Sequence, residues 1–599
     1  MDTTAIADIA TVPIHFPTLS KLPQDEQVRL YRLARAEAAA RRFRDARAPK
    51  MEARAQTVLS GILKAKSRVP VSIFQKVGRY AEQYRLHGGP RDAWTGDRLR
   101  PAFIPGELAA AAQAALESGV DLGLDDYEDA DLGANRLELL DRYLGSLRPV
   151  LYGTPSAAPA PQTAPAPKVG DTDAPLPSSP KASSAVQALI AVLPPDEAAA
   201  LKPLTDLFQT GDPTRYTAYL NAWVKAARTH ELVAFFDETS NTGTYGTDVL
   251  PGRFQLIAAV QDADHTPMVQ KIARKASYFE RLLPGNAMFK RPLKSIVPPA
   301  TAAYRVIAAD PWSEAIDAGA FSYPVPWFAQ NGRDAKVLLF LDAAQAREKA
   351  TGEAVAAAFS ADEPTRFLRL KWRETTRTAF LVLKNVIGYH AGTRKSDATG
   401  DRALSQLKGI WEEIHADLVA LHFSVDAEVA ASGLVPEPEC ARALLLGYVS
   451  GLLEQAIDAT EESSLRYRRA AARRVVVRGL LKSGAVSVDR VDGHFQVLLR
   501  DEAAARKNIE EQLAEAARIL ALGALDDAQS IVDTDGGPLP KSWRTDAVAR
   551  LSAAGVAPKN AYLFSRIIAA EDAAGNPASI SAEPVGSLSQ WIAEPREKP

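Results

Sequence analysis

The residues best placed for chemistry lie in two short stretches. One reads Leu383-Lys384-Asn385-Val386-Ile387-Gly388-Tyr389-His390-Ala391-Gly392; the other, after a polar loop, reads Trp411-Glu412-Glu413-Ile414-His415-Ala416-Asp417-Leu418. Glu413 and Asp417 are four residues apart, so on a helix their carboxylates share one face, a turn from each other. Like charges at that spacing repel by roughly 0.2–0.5 kcal/mol on an exposed helix, and by more when buried. A cation between them removes the repulsion, and it is either a metal ion or a side-chain ammonium. His390, His415 and His422 are the nearby metal-ligand candidates. His415 and His422 lie seven residues apart, two helical turns, on the side of Glu412 rather than Glu413, which suits a shared metal poorly. They read instead as polar histidines at the rim of a cleft. Lys384 is the ammonium candidate, a compact cation on a flexible stem that can pair with Glu413 while Asp417 lies close by.

The element carrying the acidic pair reads as a helix. Trp411, Ile414, Leu418 and Leu421 recur at three- and four-residue steps and give it one apolar face. Two helices follow, Glu439–Ala456 and Leu465–Lys482, the second carrying Arg469, Arg473 and Arg478. Ala485–Val488 and Phe495–Leu499, joined through Asp492-Gly493, have the pattern of a β-hairpin. Upstream, Ala185–Val192, Pro195–Phe208, Thr214–Thr229 and Met268–Leu283 read as helices. Arg253–Val260, Tyr304–Ala308 and Val337–Leu341 read as strands.

The paired stretches resemble the zinc-binding core of the dipeptidyl peptidase III family of metallopeptidases. That family carries His-Glu-x-x-Gly-His on one helix and Glu-Glu-x-x-Ala-Glu/Asp on the next. Glu412-Glu413-Ile414-His415-Ala416-Asp417 matches the second motif, and Val386, Ile387, Gly388 and Gly392 keep the frame of the first. The resemblance places Lys384 at the first zinc-binding His, Asn385 at the catalytic Glu and Tyr389 at the second His. Glu413 is the one inherited zinc ligand in its place. Phe235-Phe236-Asp237-Glu238-Thr239 is similar to a family run whose Tyr holds the reacting carbonyl oxygen, and Thr239 stands at that Tyr. In the loop Gly319–Pro326, Ser322 and Val325 stand where family asparagines grip the peptide. Arg469 corresponds to a family His, and Arg473 to a retained Arg.

A hydrolytic zinc site needs three protein ligands, an open position and a base for the water proton. The resemblance therefore implies a catalytically degenerate protein, a pseudopeptidase that binds a peptide, protein or small molecule between two lobes. Its ligand-cleft candidates are Lys384, Asn385, Tyr389, His390, Glu412, Glu413, His415, Asp417, Asp237, Glu238, Arg469 and Arg473. No cofactor is expected, and zinc is the second choice. Two alternatives stand beside this reading. One is a metal-free enzyme using Lys384, Tyr389, His390 and Glu413; the other is a metallopeptidase with rebuilt ligands.

The wider composition fits. The chain has 599 residues, 46% hydrophobic and 24% charged, with a net charge of −2, and so exerts no global attraction on nucleic acid or acidic membranes. The Arg- and Lys-rich stretch from Arg29 to Lys50 is interleaved with Asp25, Glu26, Glu37 and Asp45 and reads as a solvated helical face rather than a nucleic-acid patch. A single cysteine, Cys440, allows no internal disulfide. Met1–Phe16 lacks the basic start and apolar run of a secretory signal, and no apolar run approaches the ~20 residues of a membrane span, so the cytoplasm is the expected location.

The expected architecture is α+β but mostly helical. It is a two-lobed dipeptidyl peptidase III-like fold over residues 185–565, with a helical lobe and a mixed lobe with a β-barrel-like core. A helical N-terminal domain over 1–152 precedes it, across a Pro/Ala/Ser-rich linker at 153–184, and 566–599 form a polar tail.

Overall fold

The structure, a computed structural model, describes residues 9–16, 19–46, 50–87, 89–90, 98–124, 135–152, 178–237, 253–323, 335–394, 404, 407–455, 465–557, 559–572 and 576–592. The described chain is mostly helical, and its apolar side chains gather into three large cores. One lies among helices between Val269 and Leu551, one joins a sheet to helices, and one belongs to the helices between Ala55 and Leu151.

The sheet has five strands in the order His230–Asp237, Arg253–Gln261, Ala300–Ala309, Lys336–Leu339, Ala320–Tyr323. All neighbours are antiparallel except the parallel pair Ala300–Ala309 and Lys336–Leu339. Phe235 and Phe321, on the two edge strands, touch with ring centroids 4.7 Å apart, so the sheet curls until its edges face each other. This is the closest approach to the expected barrel. The hairpin forms as its sequence predicts: Val486–Val491 pairs with His494–Leu499, and Asp492 and Gly493 take φ of 50° and 84°, the signature of a type I′ turn.

Helix Glu363–Val382 and helix Lys408–Phe423 position the paired stretches. The first starts at Asp362, whose carboxylate accepts a 2.8 Å bond from the Thr365 N–H. It runs on into a π-helical turn, Leu383–Ile387, and a 3₁₀ turn, Gly388–His390. The extra residue in a π turn swings the following side chains around the axis, and such turns recur at functional sites. Gly388 then meets the second helix so closely that a Cβ would lie 2.8 Å from both the Cα and the carbonyl oxygen of Ala416. Only glycine permits that backbone approach.

Helix Lys408–Phe423 departs from the expected one-faced pattern. Every residue from Ile410 to Leu421 is buried, the charged ones included. It packs against the π turn on one side and against helices Leu465–Lys482 and Glu502–Leu522 on others, so no face meets water. Met268–Leu283 is also broken, into Thr266–Ala273 and Ala276–Leu282.

The cores cross the expected domain boundaries. Strand Ile9–Ile14 pairs in parallel with Lys559–Phe564, and Leu30, Leu33 and Ala36 of helix Gln24–Ala46 sit in the sheet's core. Residues 9–46 therefore pack with the sheet's core rather than with the helical core of 55–151. The expected linker is already helical from Pro180, with Ala182 and Ser183 buried. In the expected tail, Arg566–Glu571 pairs with Pro577–Glu583, and Ile567 is buried in the sheet's core. Apolar residues too sparse to mark a strand by pattern gain their burial from partners far away in sequence.

Candidate functional site

Lys384 reaches both carboxylates. Its Nζ donates to Glu413 Oε2 at 2.6 Å and to Asp417 Oδ1 at 2.5 Å. The remaining oxygens are occupied too: the Tyr389 hydroxyl donates to Glu413 Oε1 at 2.5 Å, and the Tyr448 hydroxyl to Asp417 Oδ2 at 2.8 Å. Arg469 Nε lies 3.9 Å from Glu413 Oε1, and the Arg473 guanidinium stacks on Tyr448 at 4.6 Å. Lys384 is 7% exposed, and Glu413 and Asp417 are 2% exposed. The result is a fully paired buried network, the arrangement in which buried charge is tolerated.

Burial alone would push the Glu413 carboxyl up. The charges of Lys384 and Arg469, with bonds from Lys384 and Tyr389, outweigh it and hold the pKa below the usual carboxylate value. Tyr389 and Tyr448 are driven the other way, their hydroxyls held well above the usual value by burial and by the neighbouring carboxylates.

The other expected residues divide. Asn385 lies on the π turn, its Nδ2 donating to the Leu381 carbonyl at 2.9 Å. Buried Glu412 and His415 and half-buried His390 form a separate group around Arg394. Arg394 Nε is 3.8 Å from Glu412, and His415 Nδ1 lies 3.1 Å from the Gly388 carbonyl, which can only accept, so that nitrogen carries the proton. Burial, then the charge of Arg394, pushes His415 down to about 3; burial, with Arg291 and Arg394, pushes His390 down to about 4. Both are neutral imidazoles at ordinary pH. Asp237 ends a strand opposite Arg253, while Glu238, Thr239 and Val325 lie outside the described residues. Ser322 sits in edge strand Ala320–Tyr323 opposite Val337.

A cavity of about 300 Å³ opens beside the network, with Lys384, Asn385, Asp417, Arg469 and Arg473 in its wall. His390, Glu412 and His415 do not line it. Sequence reasoning missed Tyr448 and the arginines of helix Glu363–Val382 that also line the cavity. Arg369, Arg373 and Arg377 recur at four-residue steps, a stripe legible in the sequence.

The donor set does not fit zinc. Among the described residues no three His, Cys, Asp or Glu side chains cluster as a metal site. Around Glu413 the neighbours are the Lys384 ammonium and the Tyr389 phenol, which both donate to it, and the Arg469 guanidinium at ion-pair distance. No helix among the described residues is long and apolar enough to cross a membrane.

No family model and no curated protein matches the chain. Several solved structures are similar to it, among them two dipeptidyl peptidases III. DPP III from Caldithrix abyssi shares 14% identity with a TM-score of 0.63, over 94% of this chain and 99% of that one. Dipeptidyl-peptidase III from Corallococcus sp. strain EGB shares 13% identity with a TM-score of 0.58, over 93% and 96%. A match over 94% of the chain cannot be confined to residues 185–565, so the likeness extends beyond the expected limits, as the shared cores require. Identity this low speaks to architecture alone, and on it the chain adopts a dipeptidyl peptidase III-like fold.

Proposed function

We propose that this protein is a catalytically degenerate relative of dipeptidyl peptidase III that binds a peptide, protein or small ligand in the cavity beside Lys384, without zinc-dependent hydrolysis. One observation carries the reading: an ammonium lies 2.6 Å from Glu413 and 2.5 Å from Asp417, in the place the sequence resemblance assigns to a zinc ligand. Zinc would have to expel that ammonium, and the Tyr389 proton from Glu413, before it met a single carboxylate ligand. Asn385 offers an amide where the resemblance expects a base, and its Nδ2 already donates to a backbone carbonyl. An amide takes up no proton near neutral pH, so it cannot activate a water.

The metal-free enzyme gains less support. Its Lys384 is held between two carboxylates rather than presented as an amine, and its His390 lies with Arg291 and Arg394 away from the cavity. The test is metal analysis of purified protein together with a dipeptidyl-substrate assay in added zinc. Trace zinc and no hydrolysis are expected. One zinc per chain with turnover would overturn the proposal.

A further inference from the structure

The cavity has an uneven charge. Seven cationic side chains and four carboxylates line it, and Glu413 just behind Lys384 and Arg469 makes a fifth. Four cations have carboxylates within ion-pair reach: Lys384 and Arg469 as described, Arg369 with Glu454 at 2.6 Å, and Arg347 with Asp317 at 3.4 Å. The other three are Arg373, Arg377 and Arg473. Among the described residues none of them has a carboxylate within 4.0 Å, and the buried Nε atoms of Arg377 and Arg473 have no hydrogen-bond partner.

This arrangement carries an electrostatic cost. Arg369, Arg373 and Arg377 stand a turn apart on one helical face, where like charges repel. Desolvation, with the nearby charge of Arg347, lowers the pKa of the Arg377 guanidinium. Glu348 is the counter-charge that acts on Arg377 most strongly, yet desolvation raises its own pKa despite Arg377 and Arg347. Arg473 faces the stripe from a different helix, Leu465–Lys482, so the excess charge converges from two sides. Guanidinium forks that lack carboxylates match the paired oxygens of phosphate or carboxylate groups.

We propose that the cavity binds a small polyanion, a molecule with two or more phosphate or carboxylate groups, between Arg373, Arg377 and Arg473. The proposal rests on the reading of this cavity as the ligand site and names the ligand's class. A volume of about 300 Å³ suits a small metabolite-sized molecule rather than a folded partner.

The test is calorimetry and thermal melting of the full chain with pyrophosphate, with citrate, and with tetra-alanine as a near-neutral peptide. Pyrophosphate or citrate should bind one per chain and raise Tm; which of the two binds tighter separates the phosphate from the carboxylate source. Arg377→Met should weaken that binding at least about tenfold, since a charge-assisted fork is lost. It should also leave the ligand-free Tm unchanged or higher, because a desolvated cation without an ion-pair partner is gone. A structural arginine would instead lower that Tm. If Arg377→Met does not fold, Arg373→Gln serves, with the same loss of polyanion affinity expected. Failure of both anions to bind, or binding that neither variant weakens, overturns the proposal. Binding of tetra-alanine alone would sink the polyanion and spare the cavity as a ligand site. Stoichiometric zinc with hydrolysis would sink the pseudopeptidase reading whatever the anions do.

Discussion

Two buried lysines in this protein face the same electrostatic problem and reach different ends. Lys336, in the curled sheet, donates to Glu231 and to the carbonyls of Ala226 at 2.9 Å and Trp223 at 3.4 Å, and its Nζ lies 4.4 Å from the Trp223 ring. Glu231 takes further bonds from Trp223 Nε1 at 2.7 Å and the Tyr304 hydroxyl at 3.4 Å. Lys384 has an equally complete set of partners, but its site forms the wall of a cavity. Lys336 does not line that cavity. A sealed ion pair serves the fold alone, and a buried pair is weak grounds for any other role. The same pair beside unmatched arginines forms the floor of the ligand site proposed above.

The comparison is sharpest in single substitutions. Lys336→Met should cost about 3–5 kcal/mol, because Glu231 is left charged in a dry core with only Arg228 at 3.6 Å to offset it. Urea unfolding measures this, and Glu231→Gln in the same chain should recover most of it. Lys384→Met should cost less, roughly 2–4 kcal/mol, since Arg469 stays beside Glu413 and Asp417 lies in the cavity wall rather than in a sealed core. A cost equal to or above that of Lys336→Met would remove the contrast between the two sites.

The two regions should also respond oppositely to pH. His415 is depressed to about 3 by burial and Arg394, so its contribution is complete above the unfolded value of 6.5 and is lost as pH falls towards 3. His230 is raised to about 9: burial opposes its charge, but Glu197 and Glu26 outweigh it. Its contribution is complete below 6.5 and is lost as pH rises towards 9. Each effect is at most about 3–5 kcal/mol across its window. Hydrogen exchange should show helix Lys408–Phe423 loosening in acid and strand His230–Asp237 loosening in base. His415→Gln should remove the part of the acid response nearest neutrality, and the same response in both elements would refute the contrast. The smallest effect is Tyr389→Phe, about 1 kcal/mol for one lost bond to Glu413, read by thermal melting.

Much of the site was legible because it is local. Four-residue spacing puts Glu413 and Asp417 on one face of any helix, and Asp492-Gly493 dictates its turn wherever the hairpin lies. Gly388 marked the frame, though not the reason for it, since contact with Ala416 needs both helices in place. Composition marks Pro-rich stretches, but not the pairing of Ile9–Ile14 with Lys559–Phe564, which joins residues more than 500 apart.

The amino-acid order by itself determined helix, turn and hairpin, and which charges share a helical face. These depend on neighbours within about one or two turns. Tertiary structure alone decided that Tyr448 completes the Asp417 pair, that His415 and His390 belong to a different group from Lys384, and that two helices aim unmatched arginines into one cavity. Those outcomes turn on burial and on side chains brought together from distant stretches, where the low dielectric makes each missing partner expensive.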